Sequence, residues 1–171
     1  MSGPRTILVL GGARSGKSRH AEGLAMAHRG AKIYVASGEA GDGEMATRIA
    51  RHRERRGPGW TTLEAPLEAV AAIAGHDGPE NFILFDCVTL WVANLMQAGR
   101  DVEVETGRLV RLMPELSGRL VIVANEVGLG IVPDNALARA FRDAAGQANQ
   151  ALAMAAGEVV FIAAGLPLKL K

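Results

Sequence analysis

Gly11-Gly-Ala-Arg-Ser-Gly-Lys-Ser18 fits the spacing G-x-x-x-x-G-K-[ST], and it stands between two segments of opposite character. Before it, Thr6-Ile-Leu-Val-Leu10 is a short, continuous apolar run bounded by glycine, the pattern of a strand buried on both faces. After it, Ala21, Leu24, Ala25 and Ala27 recur at helical spacing between Ser18 and His28, with Gly30 placed as a C-terminal cap. A strand that breaks at glycine and opens a helix is the context that gives this motif its meaning. Gly11 and Gly16 let the backbone N–H groups of Gly12, Ala13, Arg14 and Ser15 turn inward around an anion. The following helix adds its positive end. Lys17 then reaches the outer phosphates of a nucleotide, and the Ser18 hydroxyl is placed to ligate Mg²⁺.

The rest of the chain repeats the alternation. Strands are predicted at 32–36, 60–63, 82–85, 120–124 and 159–163. Helices are predicted at 44–55, 67–74, 88–98, 102–116 and from an N-cap at Asp134 to Ala156. Glycine-rich or Gly/Pro loops fall at 38–43 and 127–133, and 165–171 reads as a tail. Strands separated by helices imply βαβ units, a mostly parallel central sheet and helices on both of its faces. In such a sheet the ligand crevice lies beyond the carboxyl ends of the strands. The residues that follow each strand therefore carry the interest: Gly11 to Ser18, Ser37 with Gly38, Asp86, Asn125 with Glu126, and Gly165.

Composition narrows the class. At 171 residues and 49% hydrophobic, the chain can bury one core as a single domain, 1–171. The net charge of +1 gives no sign of a dedicated nucleic-acid or anionic-membrane protein. One cysteine, Cys87, rules out an internal disulfide. No apolar run approaches the roughly 18 residues of a spanning helix. The opening residues lack a signal-peptide pattern, so a cytoplasmic protein is expected. Gly supplies 21 of the 171 residues, above the usual ~7%, and clusters in the loops where a backbone turns sharply or nears a ligand.

Two further constellations carry chemistry. Phe82-Ile-Leu-Phe-Asp86 is an apolar strand ending in a carboxylate, the partner a phosphate loop needs to hold Mg²⁺, and its position suits a strand neighbouring the first. Arg48-Ile-Ala-Arg-His-Arg-Glu-Arg-Arg56 is the densest charge cluster. On a helix, Arg48, His52, Arg55 and Arg56 share one face. That face reads either as a solvated basic surface or as an anion site with an imidazole at its centre. In the second reading the surrounding positive charge keeps His52 neutral, hence nucleophilic toward phosphorus. His20, His28 and His76 stand outside any such cluster.

Several of these segments together resemble one family. They are Gly11–Ser18; Glu44-Met-Ala-x-Arg-Ile-x-x-His52-Arg-x-x-Arg56; Trp60-x-Thr-x-Glu64; Phe85-Asp-Cys-x-Thr-Leu-Trp91 with Asn94-Leu95; Asn125-Glu-Val-Gly-x-Gly-Ile-Val-Pro133 with Phe141-Arg-Asp143, Gly146 and Asn149-Gln150; and the end Ala164–Lys171. They are similar to the bifunctional adenosylcobinamide kinase / adenosylcobinamide-phosphate guanylyltransferases of cobalamin biosynthesis, over nearly the whole chain. The resemblance implies a P-loop NTPase fold of RecA-like type, an α/β class with a mostly parallel central sheet flanked by helices. It implies phosphorylation of adenosylcobinamide by ATP or GTP, then transfer of GMP from GTP to the product through a GMP-histidine. The family histidine maps to His52, and Lys17 is the catalytic cation. Family nucleotide contacts map to Gly11, Gly12, Ala13, Arg14, Ser15, Gly16, Lys17 and Ser18, to Ala36, Ser37 and Gly38, to Arg53, Glu54, Arg55 and Arg56, and to Glu64 and Asp86, with Ser18 and Asp86 at Mg²⁺. The family is a homotrimer. Aromatic residues make up only 4% of the chain, so a shallow corrinoid site between subunits is expected rather than an aromatic cage.

Two rivals stand beside this reading. One keeps the kinase and makes His52 a phosphate contact. The other is a nucleotide-binding switch protein signalling through the loops at 38–43 and 127–133; the absence of an Asn/Thr-Lys-x-Asp guanine motif ranks it last.

Overall fold

The computed structural model describes residues 5–38, 43, 50, 54 and 56–171. Its strands are β1 (Thr6–Gly11), β2 (Lys32–Ala36), β3 (Trp60–Glu64), β4 (Phe82–Asp86), β5 (Arg119–Asn125), β6 (Glu158–Ala163) and β7 (Leu166–Lys169). Its helices are α1 (Lys17–Leu24), α2 (Ala69–Gly75), α3 (Val88–Gln97), α4 (Val102–Leu112) and α5 (Ala136–Ala155). The expected loop 38–43 and helix 44–55 lie largely outside the described residues, and His52, Arg53 and Arg55 lie wholly outside them.

The strands form one sheet in the order β3-β2-β4-β5-β1-β6-β7. Every neighbouring pair is parallel except β6–β7. The central strands β1, β4 and β5 are apolar without alternation because both faces are covered. Leu8, Leu10, Ile33, Val35, Ile83, Phe85, Leu120 and Ile122 meet Trp91, Leu95, Leu109 and Leu152 of α3, α4 and α5 on one face. Ile7, Val9, Tyr34, Leu84, Val121 and Val123 meet Ala21 and Ala25 in and just after α1 on the other.

Four local expectations are corrected. β4 does not neighbour β1, because β5 lies between them. Buried strands of equal apolarity leave no mark of their order, and β5 is as buried as β4. The helix after the phosphate loop stops at Leu24, and the chain tightens into successive three-residue turns, with Ala25 N–H donating to Glu22 O and Met26 N–H to Gly23 O. Gly30 is therefore no cap. A Cβ there would stand 1.7 Å from Glu80 O, so glycine is required by the close approach of two loops. The cap of α5 is Asn135, whose side chain accepts from Ala138 N–H at 2.7 Å, rather than Asp134. Finally, 165–171 is not a tail. Leu166–Lys169 returns along β6, joined to it by Ala164 (φ 51°) and Gly165 (φ 80°) in a two-residue hairpin turn.

Candidate active site

Register sets the site before any side chain is considered. At the carboxyl edge of the sheet Ala36 lies opposite both Asp86 and Glu64, and Gly11 lies opposite both Asn125 and Ile162. The crevice beyond this edge thus receives the phosphate loop from β1, Asp86 from β4, Asn125 from β5 and the hairpin turn that follows β6.

The loop calls for glycine at two points, by close packing at Gly11 and by a left-handed backbone at Gly16. A Cβ on Gly11 would stand 2.5 Å from Ile162 O and 2.6 Å from Ser15 Oγ. Gly16, at φ 101°, caps α1, and a Cβ there would stand 3.2 Å from the Gly165 Cα. The hairpin turn braces the loop from behind: Gly165 N–H donates to Ser15 O at 2.8 Å. Lys17 is only 7% exposed, and its ammonium donates to Gly12 O at 2.7 Å, across the mouth of the loop. Such a cation, held by a loop carbonyl at the positive end of a helix, is set to meet an anion.

Ser18, in the first turn of α1, donates its hydroxyl to Asp86 Oδ2 at 3.1 Å. This contact exists although β5 separates β1 from β4, because α1 packs across β1, β5 and β4. Two hard oxygen donors, one of them a carboxylate, beside a phosphate loop form a donor set suited to Mg²⁺, which takes few protein ligands and completes its shell with phosphates and water. Among the described residues no group of three or more His, Cys, Asp or Glu offers an alternative metal cage.

Asp86 has a second donor. Tyr34 OH reaches the same Oδ2 at 3.1 Å, and the Arg56 guanidinium lies over the Tyr34 ring, 3.4 Å from its centroid. Burial first, and then the Asp86 carboxylate, hold the Tyr34 phenol well above its ordinary range, so it stays a protonated donor. The neighbouring Cys87 thiol is pushed up to about 11 by burial and then by Asp86, which leaves it inert.

Ser37 is fully buried. Its hydroxyl donates to Cys87 O at 2.7 Å and accepts from Cys87 N–H at 2.9 Å, while Asn94 Nδ2 donates to Ser37 O and Pro66 O. The side chain thus clips the end of β2 to the end of β4. On the other flank, Asn125 N–H donates to Thr89 Oγ1 at 2.7 Å, Asn149 Nδ2 donates to Asn125 O, and Glu126 N–H donates to Gly11 O. Glu64 and Glu54 are exposed, Glu64 two strands from Asp86. His28 and His76 lie at the opposite edge: His28 Nε2 meets Glu80 O, and His76 Nδ1 meets Ala72 O. The clip at Ser37 and the role of Tyr34 had no sequence signal beyond a polar and an aromatic residue at the end of an apolar run.

The sequence profile described as "Cobinamide kinase / cobinamide phosphate guanyltransferase" matches residues 7–170. The chain belongs to this family. It is 46% identical over 166 residues to the "Bifunctional adenosylcobalamin biosynthesis protein CobP" of Pseudomonas aeruginosa, covering 96% of each chain. It is 40% identical over 180 residues to the "Bifunctional adenosylcobalamin biosynthesis protein CobU" of Salmonella typhimurium, covering 96% of this chain and 99% of that one. Among solved structures it resembles the RadB recombinase, with a TM-score of 0.56 at 12% identity over 93% of this chain and 74% of that one. It also resembles the P4 protein of bacteriophage phi6 in complex with ADP, with a TM-score of 0.53 at 16% identity over 96% and 52%. At these identities the likeness is one of fold, and the fold is that of the P-loop NTPases. Among the described residues no helix is long and apolar enough to cross a membrane.

Proposed function

We propose that this chain carries both activities of its family: phosphorylation of adenosylcobinamide, and transfer of GMP from GTP to adenosylcobinamide phosphate. The geometric observation that supports the reading is the pairing of Ser18 with Asp86 beside a buried Lys17, at the carboxyl edge of the sheet. In the kinase step the substrate hydroxyl oxygen attacks the γ-phosphorus of ATP or GTP, the bond to the β-phosphate oxygen breaks, and the hydroxyl proton leaves to solvent. Lys17 and the N–H groups of Gly11–Ser18 hold the phosphates in line. The Ser15 hydroxyl is buried without a partner among the described residues, and a phosphate oxygen in the loop is the acceptor that would satisfy it. Ser18 and Asp86 would hold Mg²⁺, which when bound neutralises phosphate charge.

In the transfer step a neutral His52 nitrogen attacks the α-phosphorus of GTP and pyrophosphate leaves. A phosphate oxygen of the substrate then displaces the histidine, closing a diphosphate bond. Two anions repel, and a histidine relay splits their meeting into two attacks, the first by a neutral nitrogen. Arg53, Arg55 and Arg56 would bind the phosphates, and Ala36, Gly38, Glu54 and Glu64 the rest of the nucleotide. For Ser37, the buried clip supports a role in shape rather than direct contact. We assign the family's homotrimer to this chain as well. The exposed apolar residues Leu129, Ile131, Val132 and Leu137 support a surface covered in an assembly.

The test is incubation with GTP labelled at the α-phosphate. A covalent label that is lost in acid and survives alkali is expected, since a phosphoramidate behaves so. No label, or a label stable to acid, refutes the histidine intermediate.

A further inference from the structure

Tyr34 belongs to a strand whose side chains otherwise serve the core. Strand alternation puts it on the α1 face of the sheet, together with Ala36 of its own strand and Leu84 of β4. Register sets Tyr34 opposite Leu84 and Ala36 opposite Asp86, so the phenol stands one step below the carboxylate, on a neighbouring strand and the same face. Its ring is walled by Trp60, edge-on at 6.3 Å, and Trp60 in turn packs edge-on against Phe82 at 6.1 Å. The ring therefore has little freedom to tilt. Its two ends meet different partners: the hydroxyl meets Asp86 Oδ2, and the face meets the Arg56 guanidinium.

Ordinary core packing does not call for this arrangement. A buried phenol needs one acceptor, and a backbone carbonyl would serve; here it has taken a carboxylate that also faces the phosphate loop. Ser18 and Tyr34 both donate to Asp86 Oδ2, and neither engages Oδ1. If the Ser18 oxygen turns to another ligand, Tyr34 remains as the donor that fixes the carboxylate. A guanidinium on an aromatic face is likewise held by the ring rather than by its own flexible stem.

We propose that Tyr34 is a positioning residue of the phosphoryl-transfer site, its hydroxyl fixing the Asp86 carboxylate and its ring seating Arg56. The inference rests on the nucleotide and Mg²⁺ reading above. One rigid side chain then sets the distance between a cation and an anion that both address the same phosphates.

The experiment is GTP binding to the full chain by titration calorimetry, in EDTA and across a Mg²⁺ series. Tyr34→Phe keeps the ring and removes the hydroxyl. It should raise the half-saturating Mg²⁺ about tenfold, as loss of a hydrogen bond to a charged group implies, while leaving metal-free GTP affinity within about twofold. Tyr34→Leu should show the same Mg²⁺ shift and, in addition, a metal-free affinity about fivefold weaker, because Arg56 loses its seat. A purely structural role would lower thermal stability and leave the Mg²⁺ dependence alone. A Tyr34→Phe protein whose Mg²⁺ dependence matches wild type overturns the proposal, whatever becomes of the leucine variant. Wild-type binding indifferent to Mg²⁺ overturns the metal reading, and the role of Tyr34 with it.

Discussion

Ser37→Ala separates a structural clip from a nucleotide contact. The change removes one oxygen from a site with no exposure. Two hydrogen bonds go with it, and their loss is unequal. Cys87 O keeps an intrahelical partner, because Trp91 N–H also donates to it at 3.1 Å. Cys87 N–H donates to Ser37 Oγ and becomes a buried orphan when that oxygen is removed. An orphaned buried donor costs about 1–3 kcal/mol, and the second lost bond about 1 kcal/mol more. The expected destabilisation is therefore roughly 2–4 kcal/mol. At about 2–4 °C per kcal/mol for a chain of this size, the midpoint of thermal unfolding falls by roughly 4–16 °C. Because the clip fixes the residue after Asp86, kcat should fall more than KM for the nucleotide rises. Thermal unfolding followed by circular dichroism, paired with steady-state kinetics, reads both. A midpoint within about 1 °C of wild type, with KM raised and kcat unchanged, would show that Ser37 touches nucleotide and that the orphaned N–H argument is wrong.

Lys17→Ala should lower both activities by at least roughly 10²-fold at saturating nucleotide, since it removes the ammonium set across the loop; turnover within about tenfold of wild type refutes this. Asp86→Asn keeps the shape and removes the charge, so the Mg²⁺ titration of both reactions should move to higher concentration, and an unmoved titration sinks the assignment. His52→Ala should abolish the covalent label from α-labelled GTP while the kinase step survives in part, because γ-transfer to a hydroxyl needs no imidazole. Acid-labile label on that variant would refute His52 as the nucleophile.

The residues legible in the sequence were those whose chemistry demands a local pattern. A phosphate loop must place glycines and a lysine at fixed spacing on one turn, so Gly11 to Ser18 announces itself, and the apolar strand before it fixes the sheet type. What the sequence hides is lateral. β4 and β5 are equally apolar and equally buried, so nothing local says which lies beside β1, and the Ser18–Asp86 contact depends on α1 crossing the intervening strand. The hairpin at the end was hidden for a different reason. Its turn needs positive φ at both central positions, and Ala164 supplies the first where Asn or Gly is the usual signal. The bond from Gly165 N–H to Ser15 O supplies part of the support for that backbone, by tying the turn to the phosphate loop.

Tyr34 shows the same limit within the site. In Lys32-Ile-Tyr-Val-Ala36 an aromatic residue reads as core, and its packing against Trp60 agrees. Its second property, a hydroxyl on Asp86, follows only from the register of β2 against β4, which no local spacing encodes. Arg56 is the converse case. The sequence places it in a basic cluster on one face with His52, which lies outside the described residues, and the structure gives Arg56 a contact that the cluster does not announce, on an aromatic ring beside Asp86. The two residues together make an electrostatic argument. One phenol holds a guanidinium on its face and a carboxylate at its hydroxyl. On the function proposed above, the guanidinium would address a phosphate and the carboxylate a metal ion.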